Sequence, residues 1–314
     1  MATQDEVQIW TTLPLPIYRF YNALNKKPFE SRLQVEVFPP KQPIPEELEV
    51  VVMECWKKAE EKNPKLFDGE MIYLAERPYF TRYVEETISE ERLIIPVNVR
   101  GFRYTQAFWR TPDLHGQYTE EKARYKLSPL STNALMLTAD EKILMATKIN
   151  QYNEIANFGG FPSVKDVEEY RGRKLLQLPQ AVKRRLQPEI GNLIDDVTFI
   201  EVMGITYAKT PTIGGADLDV IINLLDSAEN ARKRFSASEQ FSRETFLINF
   251  NPTDVAEFIR KTQHSGKTIG RFDLGCLYLA IAHYFGEKEA KKVGAVIMEQ
   301  GINFSPQNTT SYFE

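Results

Sequence analysis

Residues 158–191 read FGGFPSVKDVEEYRGRKLLQLPQAVKRRLQPEIG, and the rest of the chain is arranged around them. A glycine pair, Gly159-Gly160, is followed by an acidic residue, Asp166, and then by a polar excursion over 167–177 that extends the loop. Beyond it Val182, Leu186 and Ile190 recur at the spacing of one helical stripe. Pro179 suits a first helical turn, where its missing N–H would have no intrahelical partner in any case, and Gly191 suits the C-terminal cap. The spacing therefore predicts a helix over 179–190. On it Arg185, Pro188 and Glu189 stand at i, i+3 and i+4 and share one face. That face offers a guanidinium, a proline ring and one carboxylate, and a guanidinium neither ligates a cation nor loses its proton in a protein.

Upstream, 131–149 (STNALMLTADEKILMATKI) reads as strand, turn and strand, with the turn at Ala139 to Lys142, and it delivers the chain to the glycine pair. Downstream, 195–209 reads as one or two strands, and 210–226 as a glycine-rich turn into a strongly apolar strand. Of the acidic residues there, Glu201, Asp217 and Asp219 are candidate ligands or a base, against the plainer reading of strand edge and turn. A polar helix or loop over 228–243 precedes a strand at 245–250 and a helix at 253–262 opened by Asn251-Pro252. Residues 270–286 form a long apolar helix, on which Cys276 and His283 read as core and edge rather than ligands. A last helix over 286–301 leads to a loose tail.

Toward the N-terminus, Pro14 and Pro16 exclude a regular helix from 7–24 and favour extended chain. Residues 32–38 (RLQVEVF) alternate apolar and polar and predict a strand. A helix follows over 46–62, with Pro45 near its start, Asn63-Pro64 ending it, and Leu48, Val51, Val52, Cys55 and Trp56 as its stripe. Strands are expected within 63–76 and at 93–99, before GFRYTQAFW at 101–109. Phe102, Arg103, Tyr104, Phe108 and Trp109 either stack a base and grip a phosphate or line a half-buried strand through aromatic cross-strand pairs. Residues 111–127 are polar, a loop with a short helix, and His115 reads as a surface side chain.

The 158–191 stretch resembles the Nudix box, the loop–helix–loop of hydrolases that cleave a nucleoside diphosphate linked to another moiety, with the pattern G-x5-E-x7-R-E-U-x-E-E-x-G. From Gly160 the acidic position falls on Asp166, and Arg184, Leu186, Glu189 and Gly191 match the arginine, the apolar residue, the last glutamate and the glycine. The helix glutamate has become Arg185, the first of the paired glutamates has become Pro188, and the spacer from Asp166 to Arg184 is longer than usual, so the box is degenerate. The order of elements over 46–109 is similar to the N-terminal half of the UDP-sugar diphosphatase-like branch. The resemblance implies an α/β Nudix fold, a mixed sheet between helices, with an N-terminal strand-rich subdomain. The expected division is 1–127 for that subdomain, 128–286 for the Nudix-like domain, and 287–314 for the C-terminal helix and tail. It also implies Glu189 and Asp166 as the catalytic pair, with Asp217 joining them around Mg²⁺, a hard cation that takes oxygen ligands. Gly159, Gly160, Arg184, Arg185 and Arg103 would bind substrate. Arg184 would orient a glutamate that is here Arg185, so that pairing is expected to be lost. A bulky side chain at Gly160 is expected to block ligand access and leave the fold largely intact.

The chain has 314 residues and a formal charge of -4, long enough for a sizeable core and not the balance of a general nucleic-acid binder. Two cysteines, Cys55 and Cys276, suggest neither a disulfide framework nor a zinc site. No signal peptide, repeat or membrane span is expected, which suits a cytoplasmic protein without a membrane partner. Three functions follow. One is a protein that binds a nucleoside diphosphate or nucleotide sugar, with hydrolysis weak or lost because the box carboxylates are replaced. The second is an active Mg²⁺-dependent pyrophosphohydrolase drawing ligands from Asp166, Glu189 and a later loop. The third is a scaffold or nucleic-acid-associated module, suggested by the basic residues Lys165, Arg171, Arg173, Lys174 and Lys183 beside Arg184 and Arg185, although interleaved acids make a nucleic-acid partner the weaker expectation. The sequence leaves the oligomeric state open.

Overall fold

A computed structural model describes residues 5–10, 17–22, 33–40, 43–75, 78–85, 88–110, 128–149, 154–207, 215–235, 238 and 240–299. The N-terminal part contains β1 (Asp5–Trp10), β2 (Ile17–Asn22), β3 (Leu33–Val37), α1 (Glu46–Lys62), β4 (Glu70–Leu74), β5 (Tyr79–Glu85), β6 (Ile88–Gly101) and α2 (Phe102–Arg110). Then come β7 (Ser128–Leu137), β8 (Lys142–Lys148), β9 (Glu154–Ala156), β10 (Phe158–Gly160), β11 (Val167–Tyr170), β12 (Arg173–Leu176) and the box helix α3 (Leu178–Ile190). The chain continues through β13 (Val197–Tyr207), β14 (Ala216–Leu224), α4 (Ala228–Arg234), β15 (Phe241–Asn249), α5 (Pro252–His264), β16 (Thr268–Ile269), α6 (Arg271–Phe285) and α7 (Glu287–Glu299). The architecture is mixed α/β.

β7 is the hub of the sheet. It pairs with β14 in parallel, placing Ser131 beside Asp217 and Asn133 beside Asp219. It pairs antiparallel with β10, placing Gly159 beside Asn133 and Gly160 beside Thr132, and also antiparallel with β8. Its first residues meet β4 through Tyr73 and Leu74, which joins β3 through β6 to the rest, while β1 and β2 join it through the pairing of β2 with β13. Side chains alternate across a strand, and here each face is buried. Leu130, Ala134, Met136, Leu218, Val220 and Ile222 face α3, whose Val182, Leu186 and Ile190 pack onto them. Leu135, Leu137 and Ile221 face the opposite core, built with α5, α6 and α7. Each such side chain contributes roughly 1.5–3 kcal/mol on burial, which fixes the register and hence the position of the glycine pair beneath α3.

Most expected elements occur where the periodicity puts them. α1 spans the expected residues, with Glu46, Glu47 and Glu49 in the first turn, where they favour the helix dipole. Its buried stripe is Leu48, Val52, Trp56 and Ala59, while Cys55 is only half-buried. Three findings differ from expectation. The strand β5 was not foreseen, although its aromatic and β-branched residues suit a strand. Residues 102–110 are a helix rather than a strand. Asp68 Oδ1 accepts from Arg103 N at 2.8 Å and Gly69 O accepts from Phe102 N at 2.8 Å, so the first two donors of the helix are satisfied. Tyr104 and Ala107, one turn apart, then pack with Leu48, Val52, Met71 and Tyr73.

The third difference is the excursion 167–177, which is not a loop but the hairpin β11–β12. Arg171 and Gly172 both have positive φ (52° and 75°), as a two-residue hairpin turn of matching twist requires. β12 continues the N-terminal sheet by pairing with β3, Leu176 opposite Val35. Arg173 Nε donates to Glu36 Oε1 at 2.8 Å and Nη2 engages Oε2, so a buried bidentate pair fastens the hairpin there. The helices over 252–264, 271–285 and 287–299 follow the expected order. His115, the turn at 210–214 and the tail lie outside the described residues, as do the side chains of Phe108 and Trp109.

Candidate functional site

The end of β10 is built for close approach. Gly159 and Gly160 have φ of 150° and 154°, which L side chains rarely adopt. A Cβ on Gly159 would stand 2.0 Å from Thr132 O, and one on Gly160 2.0 Å from Arg185 Nε. The guanidinium of Arg185 thus lies directly over Gly160. A bulky side chain at Gly160 would collide with it and strain the backbone, so it would disturb the fold as well as ligand access, contrary to the expectation from sequence. Thr132 Oγ1 donates to Gly160 O at 3.0 Å and holds the strand end in place.

Glu189 is the centre of this arrangement. It is 2% exposed. Its Oε2 accepts from Gly159 N at 2.8 Å, and its Oε1 lies 3.0 Å from Arg185 Nη2. Gln240, turned so that both amide atoms are paired, donates to Glu189 Oε1 at 2.9 Å and accepts from Arg185 Nη2 at 2.9 Å. Burial raises the Glu189 carboxyl, while Arg185, the Gly159 N–H and Lys148 pull it back down. The α3 face therefore carries a closed network of acid, guanidinium and amides.

Asp166, 2% exposed, has a different partner. Arg184 Nη1 lies 2.8 Å from its Oδ1, off the N–H axis, as an ion pair rather than a linear hydrogen bond. Its Oδ2 accepts from Ser163 N at 3.2 Å, completing a capping box with Ser163. The pairing expected to be lost at Arg184 is thus made with the acidic residue of the loop. Arg103 is turned onto its own subdomain, donating to Asp68 Oδ2 at 2.7 Å and lying 3.3 Å from Glu49 Oε1.

Asp217 and Asp219 alternate with Leu218 and Val220 and so stand on the sheet face opposite α3. Asp217 bonds Ser131, and crowding by the surrounding chain raises it to about 6 although part of its surface remains accessible. Asp219 accepts from Thr206 Oγ1 at 2.6 Å and is raised well above the usual carboxylate range by burial. Glu201 is taken up by His283 and by Tyr284 OH at 2.8 Å. The fold brings together Gly159, Gly160, Arg185 and Glu189, pairs Asp166 with Arg184, puts Asp217 near the same strand end but on the other sheet face, and turns Arg103 to Asp68 and Glu49. Among the described residues, no group of three or more His, Cys, Asp or Glu is disposed to hold a metal ion. At Glu189, a carboxylate expected to hold Mg²⁺, the Arg185 cation already lies against the acid. Sequence reading missed Gln240 and Lys148; neither lies in a motif, and nothing in their neighbourhoods distinguishes them.

No family model matches the chain, and no curated protein matches it. Among solved structures, a bifunctional NMN adenylyltransferase/ADP ribose pyrophosphatase from Francisella tularensis is similar at 14% identity over 58% of this chain, with a TM-score of 0.31. The chain covers 49% of the length of that protein. The Deinococcus radiodurans protein DR0079 is similar at 12% identity over 53% of this chain and 88% of its own, with a TM-score of 0.32. Likenesses at this level carry no argument about this chain.

Proposed function

We propose that this chain is a Nudix-like protein that binds the diphosphate of a nucleoside diphosphate or nucleotide sugar without a metal ion, and in which hydrolysis is weak or lost. The support for the fold reading is the order of elements: a hairpin, the glycine pair, a loop with its acidic residue, the box helix, then the strand pair. The observation that carries the function is the junction of Arg185, Glu189 and Gly159. In an active box this face would gather carboxylates around Mg²⁺, which would neutralise phosphate and generate hydroxide. Here Arg185 supplies the positive charge from the protein itself, and it supplies no hydroxide. Glu189 and Gln240 both engage Nη2, which belongs to both edges by which a guanidinium grips an anion bidentately, so Nη1 is the donor a phosphate would take, in a single charge-assisted hydrogen bond.

Calorimetry with UDP-glucose, ADP-ribose and UDP, in Mg²⁺ and in chelator, tests the reading together with a hydrolysis assay. Equal binding in both conditions with negligible turnover supports it. Mg²⁺-dependent turnover that Glu189→Gln abolishes would replace it with the enzyme, and absence of binding by all three would favour the scaffold.

A further inference from the structure

Outside the box, the first turn of α6 approaches the end of the sheet in an unusual way. Gly270 precedes the helix, and a Cβ there would stand 2.3 Å from Asp273 Oδ2 and 2.6 Å from Glu154 Oε1. Two carboxylates from different elements therefore point at the same spot and lie within about 5 Å of each other. Both are buried, Asp273 at 5% exposure and Glu154 at 6%. Asp273 Oδ1 accepts from Asn157 N at 2.9 Å, which anchors the helix to the link between β9 and β10. Lys148 Nζ, at the end of β8, lies 3.8 Å from Glu154 Oε2.

We propose that Asp273, set against the buried carboxylate of Glu154, holds a proton in the folded chain, and that losing this proton loosens the first turn of α6 from the end of the sheet. Two like charges this close in a buried setting cannot both ionise without cost, because the low dielectric strengthens their repulsion. The groups facing Asp273 are Glu154 on β9, Lys148 on β8, Asp217 on β14 and the Asn157 N–H. Lys148 and the N–H favour its ionised form; Glu154 and Asp217 oppose it, and so, most strongly, does burial, leaving Asp273 raised to about 7. The same turn carries Arg271, whose charge reaches Asp217, and Phe272, whose ring lies 3.5 Å from where a Gly215 Cβ would be. Loosening it would shift those two side chains at the sheet end shared with Lys148 and Gly160.

The sign of the effect is fixed. A carboxyl raised on folding contributes stability that is fully present below its unfolded value, about 3.9, and lost as pH rises through its folded one. Denaturation of the intact chain across this window should show stability falling as pH rises. Asp217 and Asp219 add slopes of the same sign, so the difference between variants is what is read. Asp273→Asn should remove one proton's worth of slope, and Glu154→Gln should move the Asp273 titration to lower pH. Carbon-13 NMR of the Asp273 carboxyl in the unaltered protein reads the titration directly, so the proposal stays testable if a variant fails to fold. Hydrogen exchange at Leu274 to Cys276, corrected for intrinsic base catalysis, should speed up as the proton leaves. An Asp273 carboxyl that titrates in the ordinary range, an unaltered slope in Asp273→Asn, or exchange indifferent to the titration would overturn the proposal.

Discussion

Arg185 and Glu189 face each other across one turn of α3, with Nη2 3.0 Å from Oε1, and the acid's other oxygen holds the backbone of Gly159. The box helix is thereby tied to the strand it covers by a charge and its counter-charge, both supplied by the same helix.

That tie has an energetic signature. Glu189→Ala leaves a guanidinium and a buried N–H without their acceptor, a loss of about 3 kcal/mol. Arg185→Ala leaves a buried carboxylate with amides alone, about 2–3 kcal/mol on the same grounds. The double variant should lose less than the two together by about 1 kcal/mol or more, since contacting residues couple. Urea denaturation of the four proteins gives the cycle, and strict additivity would show that the contact contributes nothing.

Reversing the face should also reverse its chemistry. Arg185→Glu with Pro188→Glu puts three carboxylates on one helical face, Glu189 being the third. Such a chain should be less stable without metal and should gain about 2.7 kcal/mol when Mg²⁺ is at a hundredfold excess over its Kd. The parent should show no comparable gain. A melting temperature in the double variant that ignores Mg²⁺ would mean that the fold does not bring these positions to bear on one ion.

Much of this fold was legible because its signals are periodic. The stripe of Val182, Leu186 and Ile190, the closing Gly191 and the hairpin before the glycine pair gave α3 and its setting from residue types alone. α2 was misread because its aromatic residues mask a one-turn pairing of Tyr104 with Ala107, and its start is fixed by Asp68, far back in the chain. The hairpin at 167–176 was missed because Arg171, a residue that rarely takes positive φ, occupies half of its turn. The site was half legible. Residue types placed Arg185 and Glu189 on one face, but only the sheet register shows that Asp217 belongs to the other side, and only tertiary packing brings in Gln240.

The Arg173–Glu36 pair gives a third expectation. Glu36 is 8% exposed and receives two bonds from one guanidinium. Arg173→Ala should cost about 2–4 kcal/mol because the carboxylate stays buried without its partner. Arg173→Lys should recover little, since an ammonium cannot span both oxygens. Full recovery by lysine, read from denaturation midpoints, would show that charge alone matters there.

Asp219 gives a fourth. Burial holds its carboxyl well above the usual range, and Thr206 Oγ1 is its hydrogen-bond donor. A group kept neutral in the fold should tolerate its neutral isostere, so Asp219→Asn should change stability by no more than about 1 kcal/mol near neutral pH. Because a raised carboxyl loses stability as pH increases, the asparagine variant should gain on the parent in alkaline solution. A variant that instead falls behind at high pH would mean that the ionised form is the one the fold needs.

The strand β12 lies between the glycine pair and α3 in the chain yet pairs with β3, far back toward the N-terminus. Removing either strand would bare a row of unpaired amides and carbonyls on the other. Exposed rows of that kind recruit other chains. The hairpin at 167–176 therefore covers an edge of β3 that would otherwise be open to such recruitment.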